Sequence, residues 1–247
     1  MFPSLLLVFV LPALGVPFVY FTGKKSPRAA AILVALIALV NMILLFTTVP
    51  TILNSSTHEY IERYEWIPIL QSEFTLFADG ISASLAIITT VLIIVAALFS
   101  VDYMKEKKNL AVYYSLLTLL SIGLVGVFIT SNLLLFYFCW ELMLVPAYFI
   151  IGGWGYRDPY RAAFKFFIFT HAGAVFVLLG IGAIYMVTGT TDMFQAQATL
   201  LTVSPDIVRW ILLSLTAGFA VKMAVVPVHM WLPDAYAEAP APMSALL

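Results

Sequence analysis

Long apolar stretches separated by short polar segments set the pattern of this chain. Seven stretches carry about twenty mostly apolar residues each, the length that crosses a hydrocarbon core as a helix with its backbone hydrogen bonds satisfied internally. They run Phe2–Phe21, Ala29–Val49, Asp79–Val101, Ala111–Thr130, Asn132–Ile151, Ala162–Val187 and Ile207–Val226. The expected fold is all-α, a polytopic membrane helix bundle forming one transmembrane domain over residues 1–247, with the seventh helix broken near Pro227. The first stretch lacks a basic n-region and stays apolar to Phe21, so it reads as a span and not as a signal peptide. The segment Pro50–Ala78 is the longest loop, expected to fold against the outer surface, and Thr190–Pro205 reads as a second outer loop.

Composition agrees with that pattern. Hydrophobic residues make up 63% of the 247 and charged residues only 10%, against about 25% charged in soluble domains; mean hydropathy is +1.04. The net charge of −1 and the scatter of basic residues exclude a nucleic-acid partner. One cysteine, Cys139, excludes an intrachain disulfide, and no Cys-x-x-Cys or His-Glu-x-x-His spacing is present to hold a cluster or zinc. No cofactor or metal is expected in this chain.

The few charges then assign sides. Lys24, Lys25, Arg28, Lys105, Lys107, Lys108, Arg157, Arg161 and Lys165 follow spans one, three and five, nine basic residues against only Arg63 and Arg209 on the alternate side. Loops rich in Lys and Arg stay cytoplasmic, which places the N-terminus outside a cell (inner or plasma) membrane.

Two ionisable residues fall where the bilayer should be. Glu141 lies nine residues into the fifth span, a rise of about 14 Å and so near the midplane. Lys222 lies inside the seventh. Such a group costs about 2.5–3.5 kcal/mol at a helix centre on an insertion scale, so it marks a functional site by default. Burial disfavours both charges and mutual approach restores them, by about 4 kcal/mol at 4 Å and an effective dielectric near 20. Neither effect dominates, and a pair so balanced suits a gated proton relay. Pro146 on span five opposes the carbonyl of Leu142, and Pro227 that of Met223, so both are expected to interrupt helices and free acceptors beside the charges. His171 on span six supplies a side-chain type that exchanges protons at neutral pH. Lys165 stands six residues earlier on a different helix face, and His229 beyond Pro227 lines the expected inner exit. Cys139 reads as packing and Asp79 as a helix cap.

The stretches Trp140-Glu141-Leu142-Met143-Leu144-Val145-Pro146 and Lys222–Ala235, with Trp66-Ile67-Pro68, Asp79-Gly80-Ile81-Ser82 and Ala237–Leu247, resemble the signatures of the antiporter-like membrane subunits. That family serves NADH-quinone oxidoreductase (complex I), membrane-bound hydrogenases and Mrp antiporters, and the resemblance is strongest to the M-type chain of the first and the D-type chain of the last. It implies a discontinuous seventh helix and a buried Glu–Lys pair made of Glu141 and Lys222. It also implies a proton- or sodium-translocating subunit of a redox-driven respiratory complex, with other membrane and peripheral subunits, the lipid bilayer and H+ or Na+ as partners. An oxidoreductase label would then belong to the whole complex. Family members usually have about fourteen helices, so this chain resembles an N-terminal half, which alone is expected not to move ions. The alternatives are an autonomous secondary cation transporter, disfavoured because a lysine beside the acid repels a cation, and a structural membrane scaffold.

Overall fold

The computed structural model describes residues 3–70 and 72–247. Seven long helices correspond one for one to the seven apolar stretches: α1 (Ser4–Lys25), α2 (Pro27–Asn54), α3 (Gly80–Tyr103), α4 (Leu110–Gly126), α5 (Leu133–Trp154), α6 (Pro159–Thr188) and, after the short α7 (Met193–Leu200), α8 (Pro205–Lys222). The expected start of the first span at Phe2 lies outside the described residues. Five of the seven are long and apolar enough to cross a membrane. α4 is an apolar helix of 17 residues, and α8, with 18, carries Asp206, Arg209 and Lys222. The chain is a multi-pass membrane protein.

The helices pack in a serpentine order, α3 on α2, α2 on α1, α1 on α4, then α4 on α5, α5 on α6 and α6 on α8. Close approach is made possible by small residues, as membrane helices require when no hydrophobic drive separates protein from lipid. A Cβ on Gly123 of α4 would lie 2.7 Å from the Cys139 carbonyl oxygen of α5, and one on Gly218 of α8 would lie 2.6 Å from the Gly173 carbonyl oxygen of α6.

The loop between α2 and α3 is more regular than expected. It forms an antiparallel hairpin, β1 (Tyr60–Ile67) and β2 (Ser72–Ala78), joined through a 3₁₀ turn at Pro68–Leu70. Glu62 turns inward from it and is only 7% exposed. Its carboxylate accepts the Leu5 and Leu6 amides at 3.0 and 2.9 Å and the hydroxyls of Tyr60 and Tyr64 at 2.9 and 3.1 Å. The acid thus caps α1, meeting orphan amides that the helix leaves at its N-terminus. Beside the hairpin, Asn132 caps α5 by accepting the Leu134 and Leu135 amides, and its side-chain amide donates to Ser72, the Glu73 carbonyl and Thr191. The expected loop at Thr190–Pro205 contains α7, capped by Asp192. Sequence alternation missed both elements because each is short and half-polar.

Basic loops gather at the opposite end. The Lys107 ammonium donates to the Gly155 carbonyl at 3.4 Å and the Trp154 indole N–H to the Lys108 carbonyl at 2.9 Å, joining the loops after α3 and α5. Asp79 caps α3 in a reciprocal arrangement with Ser82, as its position at a helix start suggests.

Pro146 does not interrupt α5, which runs unbroken to Trp154. Proline is tolerated within membrane helices where neighbours re-satisfy the freed groups. The seventh span does break, but five residues before Pro227. α8 stops at Lys222, the chain passes through a turn containing a cis Val226–Pro227 bond, and helix resumes as α9 (Leu232–Glu238), followed by α10 (Ala241–Ser244).

Candidate functional site

The stop after Lys222 has a backbone explanation. The Val225 amide donates to the Ala220 carbonyl at 2.9 Å and the Ala224 amide to the Val221 carbonyl at 3.1 Å, with Ala224 at φ +51°. This is a Schellman termination, with alanine in the left-handed position that glycine usually fills. The indole N–H of Trp231, a residue 2% exposed, then donates to the Val221 carbonyl at 2.9 Å. The break is therefore a closed turn held by backbone hydrogen bonds and the Trp231 indole, and it leaves Lys222 on the last turn of α8.

Glu141 projects from the middle of α5 toward α6. Its Oε2 meets His171 Nδ1 at 3.2 Å, while Oε1 is buried with no hydrogen-bond partner among the described residues. The Tyr137 side chain, one turn earlier on α5, interacts electrostatically with the same carboxylate. His171 lies parallel to Phe167 with ring centroids 5.4 Å apart, which fixes the imidazole plane.

The direct partner of Glu141 is thus His171 and not Lys222. The Lys222 ammonium sits over the indole of Trp140 at 5.5 Å from the ring centroid and makes no ion pair among the described residues. It remains close enough to Glu141 for their charges to attract. The reason is positional: Trp140 and Glu141 are consecutive, about 100° apart around α5, and Phe219 of α8 packs edge-on against Trp140, drawing the next turn of α8 toward the ring.

Lys165 also has a partner that sequence reading left unassigned. Its ammonium meets Asp234 Oδ2 of α9 at 2.7 Å. Asp234 also lines a polar cavity of about 320 Å³ with Asp158, Arg161, Ala162, Ala237 and Glu238. Glu238 accepts the Tyr156 and Arg157 amides at 2.9 and 2.7 Å. Burial pushes its carboxyl up, but these amides, the Asp158 amide and the Arg157 charge outweigh that and hold it below its ordinary value. His229 lies in the turn between α8 and α9, its Nδ1 buried without a partner among the described residues. The structure therefore joins Glu141 to His171, sets Lys222 beside them, and places Lys165 and His229 toward the basic end. Trp140, Asp234 and Glu238 were each present in the motifs quoted above. Their partners lie on other helices, so spacing along the chain carried no sign of their roles.

No group of three or more His, Cys, Asp or Glu among the described residues is arranged to hold a metal ion. What the site offers is a half-buried carboxylate paired with an imidazole whose side chain is 47% exposed, and a lysine nearby at the end of an interrupted helix. That defines the class, a multi-pass membrane protein with ionisable groups on its spanning helices beside a helix break.

Residues 130–247 match the family model described as NADH:quinone oxidoreductase/Mrp antiporter, TM. Subunit M of NADH-quinone oxidoreductase from Rickettsia conorii is 33% identical over 257 residues, covering 99% of this chain and 50% of that protein. Among solved structures, a chain of the archaeal membrane-bound sulfane sulfur reductase superposes with a TM-score of 0.82 at 21% identity, covering 96% of this chain and 48% of that one. A chain of respiratory complex I from Thermus thermophilus gives 0.79 at 23%, covering 98% and 48%. The chain belongs to the antiporter-like membrane subunit family of complex I and Mrp antiporters. It spans about half the length of the curated relatives it matches.

Proposed function

We propose that this chain is an ion-translocating subunit, for H+ or Na+, of a redox-driven respiratory complex of the complex I or membrane-bound hydrogenase type, or of an Mrp antiporter. Its partners are the other membrane and peripheral subunits of that complex. The relatives' names support the host, and the Glu141–His171 contact beside Lys222 carries the chemistry. A carboxylate, an imidazole and an ammonium within one part of the bundle can pass a proton stepwise, each group stabilised in turn by its neighbour. Lys165 and His229 extend the route toward the basic end, where the polar cavity beside Asp234 admits water. That end faces the cytoplasm and the N-terminus lies outside, since nine basic residues against two favour that orientation. Electron transfer belongs to partner subunits, and this chain couples to it.

The deciding experiment is Glu141→Gln in the purified host complex in liposomes, with electron turnover and gradient formation read together. Loss of gradient with assembly and turnover retained is the expected result. Unchanged gradient formation would leave a structural scaffold, and ion exchange by the isolated chain without redox turnover would favour an autonomous transporter.

A further inference from the structure

The Lys222 ammonium rests on the Trp140 indole, and the Glu141 carboxylate is near enough to attract it as a second place. The indole is 8% exposed and lies between Phe136 and Phe219, with centroids 5.7 and 5.4 Å away. Phe219 and Lys222 are three residues apart and share a face of α8, so the packing that seats Trp140 also delivers the ammonium to its face. A cation over indole is attracted by the ring quadrupole, most strongly where water is excluded. The second place is the Glu141 carboxylate, whose Oε2 is engaged by His171 while Oε1 is buried without a hydrogen-bond partner among the described residues, the Tyr137 side chain being the other group close to it. A buried acceptor without a partner is costly and draws a nearby donor. Ring and carboxylate sit on adjacent residues, so the four-carbon stem of lysine can swing between them without α8 moving.

We propose that Trp140 is a positioning residue for ion transfer: its ring holds the Lys222 ammonium off Glu141 while His171 occupies the carboxylate, so that His171 and Lys222 take turns on one acid. This rests on the relay reading above. Removing the ring's attraction would settle the ammonium on Glu141 and stall the exchange.

The test uses the assembled complex with 5-fluorotryptophan placed at position 140 alone. Its fluorine resonance should shift in Lys222→Met and stay put in Lys165→Met. A resonance indifferent to Lys222→Met, or moved equally by both, means the ammonium is not on the ring and overturns the proposal. In the same complex, progressively fluorinated tryptophans keep the ring's shape while weakening its attraction for a cation. Ions moved per electron should fall in step with fluorination, by roughly 5- to 30-fold across the series. If pumping is flat across the series while Glu141→Gln abolishes it, the relay stands and the role of Trp140 falls. If pumping is flat and Glu141→Gln also leaves it intact, both fall.

Discussion

Two glutamates, Glu62 and Glu238, show how single acids fix the two ends of the bundle. Glu62 receives two amides and two hydroxyls, and hydrogen bonds to a charged acceptor are worth about 1.5–3 kcal/mol each when broken singly. They share one carboxylate, so their losses do not add. Glu62→Ala should therefore lower stability by about 2–4 kcal/mol, read as an earlier thermal transition in detergent, with the largest gain in hydrogen exchange at the first turn of α1. Burial, and then the neighbouring Glu62 carboxylate, push the Tyr64 phenol up to about 12, so it stays protonated at physiological pH. Glu238 does the corresponding work at the basic end, and here pH is the probe. Its folded carboxyl lies below the ordinary value, so its contribution is complete above the unfolded carboxyl range, about 4.3, and is lost as pH falls through the lower folded value. Thermal stability should decline on acidification below about pH 4, and Glu238→Gln should flatten that decline. An unchanged acid limb in the variant would mean the loop at 155–158 is held by other groups.

At the scale of elements, the break in α8 is where sequence and structure diverge most usefully. Proline marks it in the sequence, because Pro227 cannot extend a helix, and a break near that position was legible. The actual stop falls earlier, after Lys222, with the left-handed turn at Ala224, a residue whose helix propensity is the best of all. Its left-handed backbone comes from tertiary pull: Trp231 reaches back to Val221, and Phe219 locks onto Trp140, so the chain must turn between them. Left-handed backbone costs a non-glycine residue about 1–2 kcal/mol. Ala224→Gly should consequently raise stability by about 1 kcal/mol, measured by denaturant or thermal unfolding of the detergent-solubilised chain, and leave α8 ending at Lys222. A loss of stability would show that the alanine methyl packs well enough to offset the strain. The apolar helices α1, α2, α3, α5 and α6 were legible within a few residues because twenty apolar residues admit little else in a bilayer. The hairpin and α7 were not, since their stability comes from cross-chain caps such as Glu62, Asn132 and Asp192. The candidate site shows the same division. Cost of burial singled out Glu141 and Lys222, but which of His171 and Trp140 each would meet depends on how α5, α6 and α8 rotate against one another.

For the whole molecule, the two ends differ in kind, and that difference makes orientation testable. One end is a cap of hairpin, α7 and interlocked side chains with few basic residues, where Arg63 is held by Glu73 at 3.1 Å and Asp192 at 3.7 Å. The other carries the basic loops after α1, α3 and α5 together with α9 and the polar cavity. Each translocated lysine or arginine would have to cross the membrane during insertion, so the end with nine of them is favoured inside. The lone Cys139 is fully buried and out of reach of an aqueous reagent, so single cysteines can be installed at exposed positions in its presence. In whole cells, a membrane-impermeant maleimide should label Ile69→Cys in the hairpin turn, a position 93% exposed, and Thr202→Cys after α7. Lys105→Cys and Arg157→Cys should react only after permeabilisation. The reverse pattern would turn the chain over, and the Lys165–Asp234 cavity would then open to the outside. In the proposed relay the acid communicates with that cavity, so the same labelling would also decide from which side water reaches Lys165, and hence the direction in which protons would approach Glu141.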